Sequence, residues 1–195
     1  MVKLESDRLS IRPISIIDAA FMLQLMNTAG WLEFIGDRNV KDRTAASNYI
    51  LTRIIPSYHS YGFGLYLVLL KNKNTPIGIC GLVKREGLDH PDLGFAVLPE
   101  YAGQGYTSEA SETILDYADK QLEIPIIYGI TTQLNIGCCC THNDFHTIHN
   151  RYTATVSITI RCTTVISISS SQCCTDSNCT TIIDTISTFV IAIRN

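Results

Sequence analysis

The sequence predicts a mixed α/β domain, one of the α/β or α+β kind, and three observations carry that prediction. Two apolar runs flank a polar Lys71-Asn72-Lys73-Asn74 turn and read as an antiparallel hairpin. A further strand ends in Gly103-Gln104-Gly105 and passes at once into a long amphipathic helix, which a last strand follows. The order β-α-α-β-β-β-α-β shows no internal repeat, and 195 residues at 46% hydrophobic and 17% charged are enough for one packed core.

Taken in order, Leu9-Ser10-Ile11-Arg12-Pro13 alternates and stops at proline, a short first strand. Asp18 to Met26 places Ala19, Met22, Leu23 and Met26 at helical spacing, with Ser15 as the cap and Asp18 three residues on. Thr44 to Ile55 repeats the pattern through Ala45, Tyr49, Ile50 and Ile54. Phe63 to Leu70 and Pro76 to Lys84 form the hairpin, and Leu93 to Leu98 is a strand stopped by Pro99. The helix Tyr106 to Leu122 keeps Ala110, Ile114, Tyr117, Ala118 and Leu122 on one face, and Ile126 to Thr132 closes as a strand.

Charge excludes several functions. The net charge of −3 comes with no basic run, which argues against binding nucleic acid through its phosphates. The longest apolar run, Tyr61 to Leu70, is too short to span a bilayer. The charged start MVKLESDRLS lacks the apolar core of a signal peptide, so a cytoplasmic protein is expected.

Composition breaks near residue 137. All six Pro and eleven of the twelve Gly precede it, whereas residues 137–195 contain no Leu, Lys, Glu, Met or Trp and seven of the eight Cys. Residues 1–136 therefore read as the core and 137–195 as an atypical Thr/Ile/Ser/Cys-rich tail. Three readings of that tail stand side by side: a separate β-rich segment, a biased extension, or the translation of a shifted reading frame.

The sharpest local signal is Val97-Leu98-Pro99-Glu100-Tyr101-Ala102-Gly103-Gln104-Gly105-Tyr106-Thr107. A strand ends, two glycines let the backbone approach a ligand, and a helix begins whose first N–H groups are unpaired. The helix dipole favours an anion there, so a diphosphate on the amides of Gly103 to Thr107 is one reading and a plain structural turn the other. No Gly-Lys-Ser/Thr follows, which excludes a Walker loop.

Residues 4–136 resemble the GNAT acetyltransferase superfamily, in particular the branch similar to ribosomal-protein N-terminal acetyltransferases. The resemblance lies in Arg8-Leu9-Ser10-Ile11-Arg12-Pro13, in Pro76-Ile77-Gly78-Ile79-Cys80-Gly81-Leu82, and in Leu93-Gly94-Phe95-Ala96-Val97-Leu98-Pro99-Glu100-Tyr101. Gly103-Gln104-Gly105-Tyr106 and the Glu109-Ala110 helix complete it. The family's Gln/Arg-x-x-Gly-x-Gly/Ala signature reads Ala102-Gly103-Gln104-Gly105-Tyr106-Thr107, so Gly105 matches while Ala102 and Thr107 depart. The resemblance implies a central, mostly antiparallel sheet flanked by helices, followed here by an atypical C-terminal segment. It also implies acetyl-CoA as cosubstrate and direct acetyl transfer to a primary amine, small-molecule or peptide, without a covalent enzyme intermediate. The pantetheine arm would lie on the strand edge at Ala96, Val97 and Leu98, with a backbone N–H near Val97 or Leu98 on the thioester carbonyl. The diphosphate would lie on Gly103, Gln104, Gly105, Tyr106 and Thr107, and Asn135 would contact the CoA arm.

For the base, Asp92 heads the strand that leads into this loop, acting directly or through water; the other reading is a solvated turn residue. His90 is of a residue type that exchanges protons near neutral pH, although a turn histidine is more often simply exposed. Trp31, Glu33 and Phe34 lie where the family builds its acceptor pocket, although an aromatic cluster also suits core packing. After Asn135 the family's last helix, closing strands and general-acid tyrosine have no counterpart, and Tyr152 does not align with that tyrosine. This leaves a non-catalytic or impaired CoA-binding relative as the alternative. Cys138, Cys139, Cys140, His142, His146 and His149 are of ligand type, but adjacent cysteines cannot all face one ion, so no metal site is assigned.

Overall fold

The computed structural model describes residues 3–132, 161–162 and 186–192. Its elements are β1 (Leu4–Glu5), β2 (Leu9–Pro13), α1 (Ala19–Met26), α2 (Ala29–Phe34), α3 (Arg43–Tyr49), α4 (Ile55–Tyr61), β3 (Leu65–Leu70) and β4 (Thr75–Val83). There follow β5 (Asp92–Val97), α5 (Tyr106–Lys120), β6 (Ile126–Thr132), β7 (Arg161–Cys162) and β8 (Ile186–Ala192). These strands form one sheet in the order β1-β2-β3-β4-β5-β6-β8-β7. Every neighbouring pair is antiparallel except β5 and β6.

Both faces of the sheet are covered, which is why β3 reads as an unbroken apolar run. Alternation sends Tyr66 and Val68 to the α5 side, against Ile114, Tyr117 and Ala118, and sends Leu67 and Leu69 to the α1/α3 side, against Met22, Leu25 and Ile50. In β4 a bulge breaks this phase. Val68 pairs with Gly78 and Leu69 with Pro76, leaving Ile77 as the extra residue. Ile77 consequently packs with the α5 core while Ile79 packs with the α1/α3 core. Pro76, which has no N–H to give a ladder, sits beside that irregularity.

The helices depart from the sequence reading in three places. α1 begins after a 3₁₀ turn at Ile16–Asp18, and the Asp18 carboxylate accepts from the Ser15 N–H at 2.9 Å, the return half of the expected capping box. α2 was not expected; Thr28 caps it, its hydroxyl accepting from the Trp31 N–H. The helix expected over Thr44–Ile55 runs on through a π-helical turn at Ile50–Ile54 into α4, where Pro56 occupies the first turn. The ladder already departs from ordinary α pairing just ahead of Pro56, with the Ile55 N–H returning to the Ile50 carbonyl across the π-turn, and the chain continues helically past the proline.

The tail joins the core sheet. β8 pairs with β6 from Ile126↔Ala192 to Thr132↔Ile186, and β7 pairs with β8. Of the tail 137–195, only residues 161–162 and 186–192 fall within the described residues.

Candidate active site

The site is built where β5 and β6 part. Their parallel register holds for Asp92↔Tyr128 and Leu93↔Gly129 and then stops, although both strands continue. Beyond Leu93 the β6-facing edge of β5 is therefore open. Which amides line it follows from the other side. Leu98 N–H donates to the Ile77 carbonyl at 2.8 Å, and the β4–β5 register runs unbroken from Asp92 to Val97. Strand alternation then turns Ala96 toward β4 and points the N–H groups of Phe95 and Val97 to the open edge. Of the two amides expected near the thioester carbonyl, Val97 is free to serve and Leu98 is not.

Beside this edge lies a shallow cleft between β4, β5 and the start of α5, lined by Gly78, Phe95, Ala96, Val97, Tyr106 and Thr107 among others. Gly78 has to be glycine, since a Cβ would stand 2.4 Å from the Ala96 carbonyl oxygen. Cys80 also lines the cleft, but burial pushes its thiol up to about 12, and the 3.7 Å contact with Ser111 Oγ offsets only part of that. It is a neutral thiol at neutral pH, not a thiolate nucleophile. Leu98 lies elsewhere: its side chain is buried in the α1/α3 core and lines a separate, open groove with Phe21, Pro76 and Tyr101.

The loop at the mouth of the cleft has Gly103 at φ 71° and Gly105 at φ 76°, both left-handed. Gly105 caps α5 with no side-chain acceptor on the helix amides. The first return bond runs from Glu109 N–H to the Gly105 carbonyl, so the amides of the first turn are left for a ligand. At Gly103 an added Cβ would meet nothing within 4 Å, so the outer side of the loop is open. Gln104 is turned to structural use, its Nε2 donating to the Glu100 carbonyl at 2.8 Å.

Two ion pairs escaped the sequence reading. Arg8, in the turn before β2, grips Glu109 in the first full turn of α5, with Nε 2.5 Å from Oε2 and the backbone N–H 2.8 Å from Oε1. Burial raises the Glu109 carboxyl, yet hydrogen bonds from Ser6 and Arg8 outweigh it and hold the group below the usual range. Arg85 grips Asp92, with Nε 2.7 Å from Oδ1 and Nη2 3.0 Å from Oδ2. Asp92 is thus neither a solvated turn residue nor a free carboxylate: it is 1% exposed and both its oxygens face one guanidinium. Arg8 and Glu109 both stand within motifs that carry the family resemblance, but over a hundred residues apart nothing in the sequence pairs them.

The remaining candidates are dispersed. His90 packs edge-on to Tyr128, ring centroids 5.7 Å apart. Trp31 is buried in the α1/α3 core, its Nε1 without a partner, while Phe34 is 36% exposed. Asn135, the cysteines Cys138 to Cys140, His142, His146, His149 and Tyr152 lie outside the described residues. Among the described residues no group of three metal-ligating side chains occurs, and no helix is long and apolar enough to cross a membrane.

Residues 8–143 match the family model of the acetyltransferase (GNAT) domain. The chain belongs to the GNAT acetyltransferase family. Solved GNAT-fold structures agree with it over nearly full length. One is a ribosomal L7/L12 α-N-protein acetyltransferase in complex with coenzyme A, at TM-score 0.71 and 13% identity, with 98% of each chain covered. Another is an acetyltransferase from Salmonella typhimurium that modifies the N-terminal serine of ribosomal protein L7/L12, at TM-score 0.69 and 12% identity over 99% of this chain and 100% of that one. A third, an acetyltransferase from Agrobacterium tumefaciens, has TM-score 0.69 and 16% identity over 97% and 94%. At these identities the likeness is one of fold. GNAT membership makes the chain an acetyl-CoA-dependent N-acetyltransferase. Its own residues fit that cosubstrate, for the open β5 edge, the adjoining cleft and the uncapped start of α5 form one continuous surface.

Proposed function

We propose that this GNAT protein acetylates a primary amine by direct attack, and that the parting of β5 and β6 beside the start of α5 carries the reading. The pantetheine arm runs along the open edge at Phe95 and Val97, with Ala96 on the cleft wall, and the diphosphate rests on the loop amides from Gly103 to Thr107. Bound acetyl-CoA supplies an activated acyl group. The Val97 N–H is placed to polarise its carbonyl. The amine nitrogen bonds to the acetyl carbon as the C–S bond breaks, and the proton the amine sheds ends on the CoA thiol. The neutral Cys80 supports transfer without an acyl-enzyme.

Asp92 enters as the residue that anchors the head of β5. Both its carboxylate oxygens are occupied by Arg85, so its contribution to the base is through position or through water. The same ion pair favours a second reading, a CoA-binding relative without turnover. One experiment separates them: thiol release from acetyl-CoA with N-terminal peptides, polyamines and amino sugars as acceptors. Peptide α-amines come first because two fold neighbours act on a ribosomal-protein N-terminus. Acetylation of any acceptor supports the enzyme; CoA binding with no turnover on any of them supports the second reading, and absence of CoA binding overturns both.

A further inference from the structure

The loop that would seat the diphosphate contains two left-handed glycines, and no side chain caps the helix it opens. Within it, Gln104 Nε2 bonds back to the Glu100 carbonyl. Further restraint comes from a residue near the start of the chain. Arg8 Nη1 donates to the Gln104 carbonyl at 3.0 Å, and its guanidinium carbon stands 4.4 Å from the centre of the Tyr106 ring. The remaining guanidinium nitrogen, Nη2, lies 3.4 Å from where a Cβ on Gly105 would be. The same side chain and its backbone N–H hold Glu109, which also accepts from Ser6 Oγ at 2.6 Å. One residue therefore touches the loop before, at and after the start of α5.

Electrostatics point the same way. Glu109 sits one turn into α5, and an unpaired carboxylate there opposes any anion at the helix start. Arg8 cancels that charge and leaves its own guanidinium partly exposed, its side chain 47% accessible, on the loop side.

We propose that Arg8 is a positioning residue for the CoA diphosphate, holding the Gly103–Gly105 amides in their ligand-facing arrangement and neutralising Glu109 beneath them. The proposal rests on the diphosphate cradle described above. Its signature is a defect confined to ligands that carry the diphosphate.

The test uses the full-length protein and calorimetric dissociation constants for CoA and for pantetheine, which lacks the diphosphate, alongside kcat and KM with acetyl-CoA. Arg8→Ala should weaken CoA by about tenfold or more, the size of one lost charge-assisted contact, while pantetheine affinity stays within twofold. KM for acetyl-CoA should rise with kcat nearly unchanged. Arg8→Lys keeps the charge without the fork and should fall between. Glu109→Gln in the Arg8→Ala background should recover part of the CoA affinity, because the repelling charge is gone. Equal loss of CoA and pantetheine, or unchanged CoA affinity in Arg8→Ala, would overturn the proposal; if Arg8→Ala does not fold, the Arg8→Lys comparison decides it by the same two ligands. A parent protein that binds CoA no better than pantetheine would instead remove the cradle itself.

Discussion

Replacing Arg85 by alanine should damage this protein far more than altering the aspartate it holds. The Asp92 side chain is 2% exposed, whereas that of Arg85 is 48% exposed. Removing the guanidinium strands a buried carboxylate whose hydrogen bonds both came from Arg85. Breaking a buried pair in this way costs about 3–5 kcal/mol. Asp92→Asn strands nothing comparable, since the half-exposed guanidinium rehydrates and the amide oxygen still accepts, so a loss of about 1 kcal/mol is expected. The double variant Arg85→Ala/Asp92→Asn should be more stable than Arg85→Ala alone. Urea denaturation of the four proteins reads this directly, and the thermal midpoints of Arg85→Ala and the parent should separate by roughly 6–20 °C. Equal losses for Arg85→Ala and Asp92→Asn would refute the reasoning.

Other expectations follow from the same geometry. Gly105→Val places a β-branched residue at φ 76° with Arg8 Nη2 against its Cβ; it should cost more than the roughly 1–2 kcal/mol of an ordinary left-handed residue and abolish CoA binding by calorimetry. Val97→Pro removes an N–H that β4 does not use, so CoA affinity should fall more than the melting temperature; Leu98→Pro breaks the bond to Ile77 and should do the reverse. Gly78→Ala drives a methyl into the Ala96 carbonyl and should unfold at lower urea while distorting the cleft. Asp18 is raised by burial but lowered further by Arg12 and Ser15, and Glu109 is lowered likewise on balance. Both contribute stability that is present above their unfolded values and lost as pH falls through their folded ones, so Arg12→Ala should flatten the acid limb of a stability–pH profile.

Much of the architecture was legible because it is written at short range. Periodicity located β2 to β6, α1 and α5 within a few residues, the Lys71–Asn74 turn marked the hairpin, and the Gly103–Gly105 loop announced a helix start that could meet an anion. The helix expected to end at Ile55 continues into α4 through a π-helical turn ahead of Pro56, which a 3.6-residue period does not reveal. The short β1 and α2 carried too few residues for a period to show.

Which groups of the candidate site are already partnered shows only in three dimensions. Periodicity cannot say that β5 and β6 separate after Leu93, since that depends on which strand lies beside which. Nor can it say that the Leu98 amide is spent on Ile77 while Val97 is left over, a consequence of register that a shift of one residue would invert. Asp92 has the same carboxylate in either setting; only the fold shows that it is buried and held by Arg85. The amino-acid sequence thus determined the repertoire of elements, because that rests on spacing and backbone freedom, and its family resemblance implied the ligand class. Tertiary structure decided which groups remain free to act, because that is a matter of which partners have already claimed them.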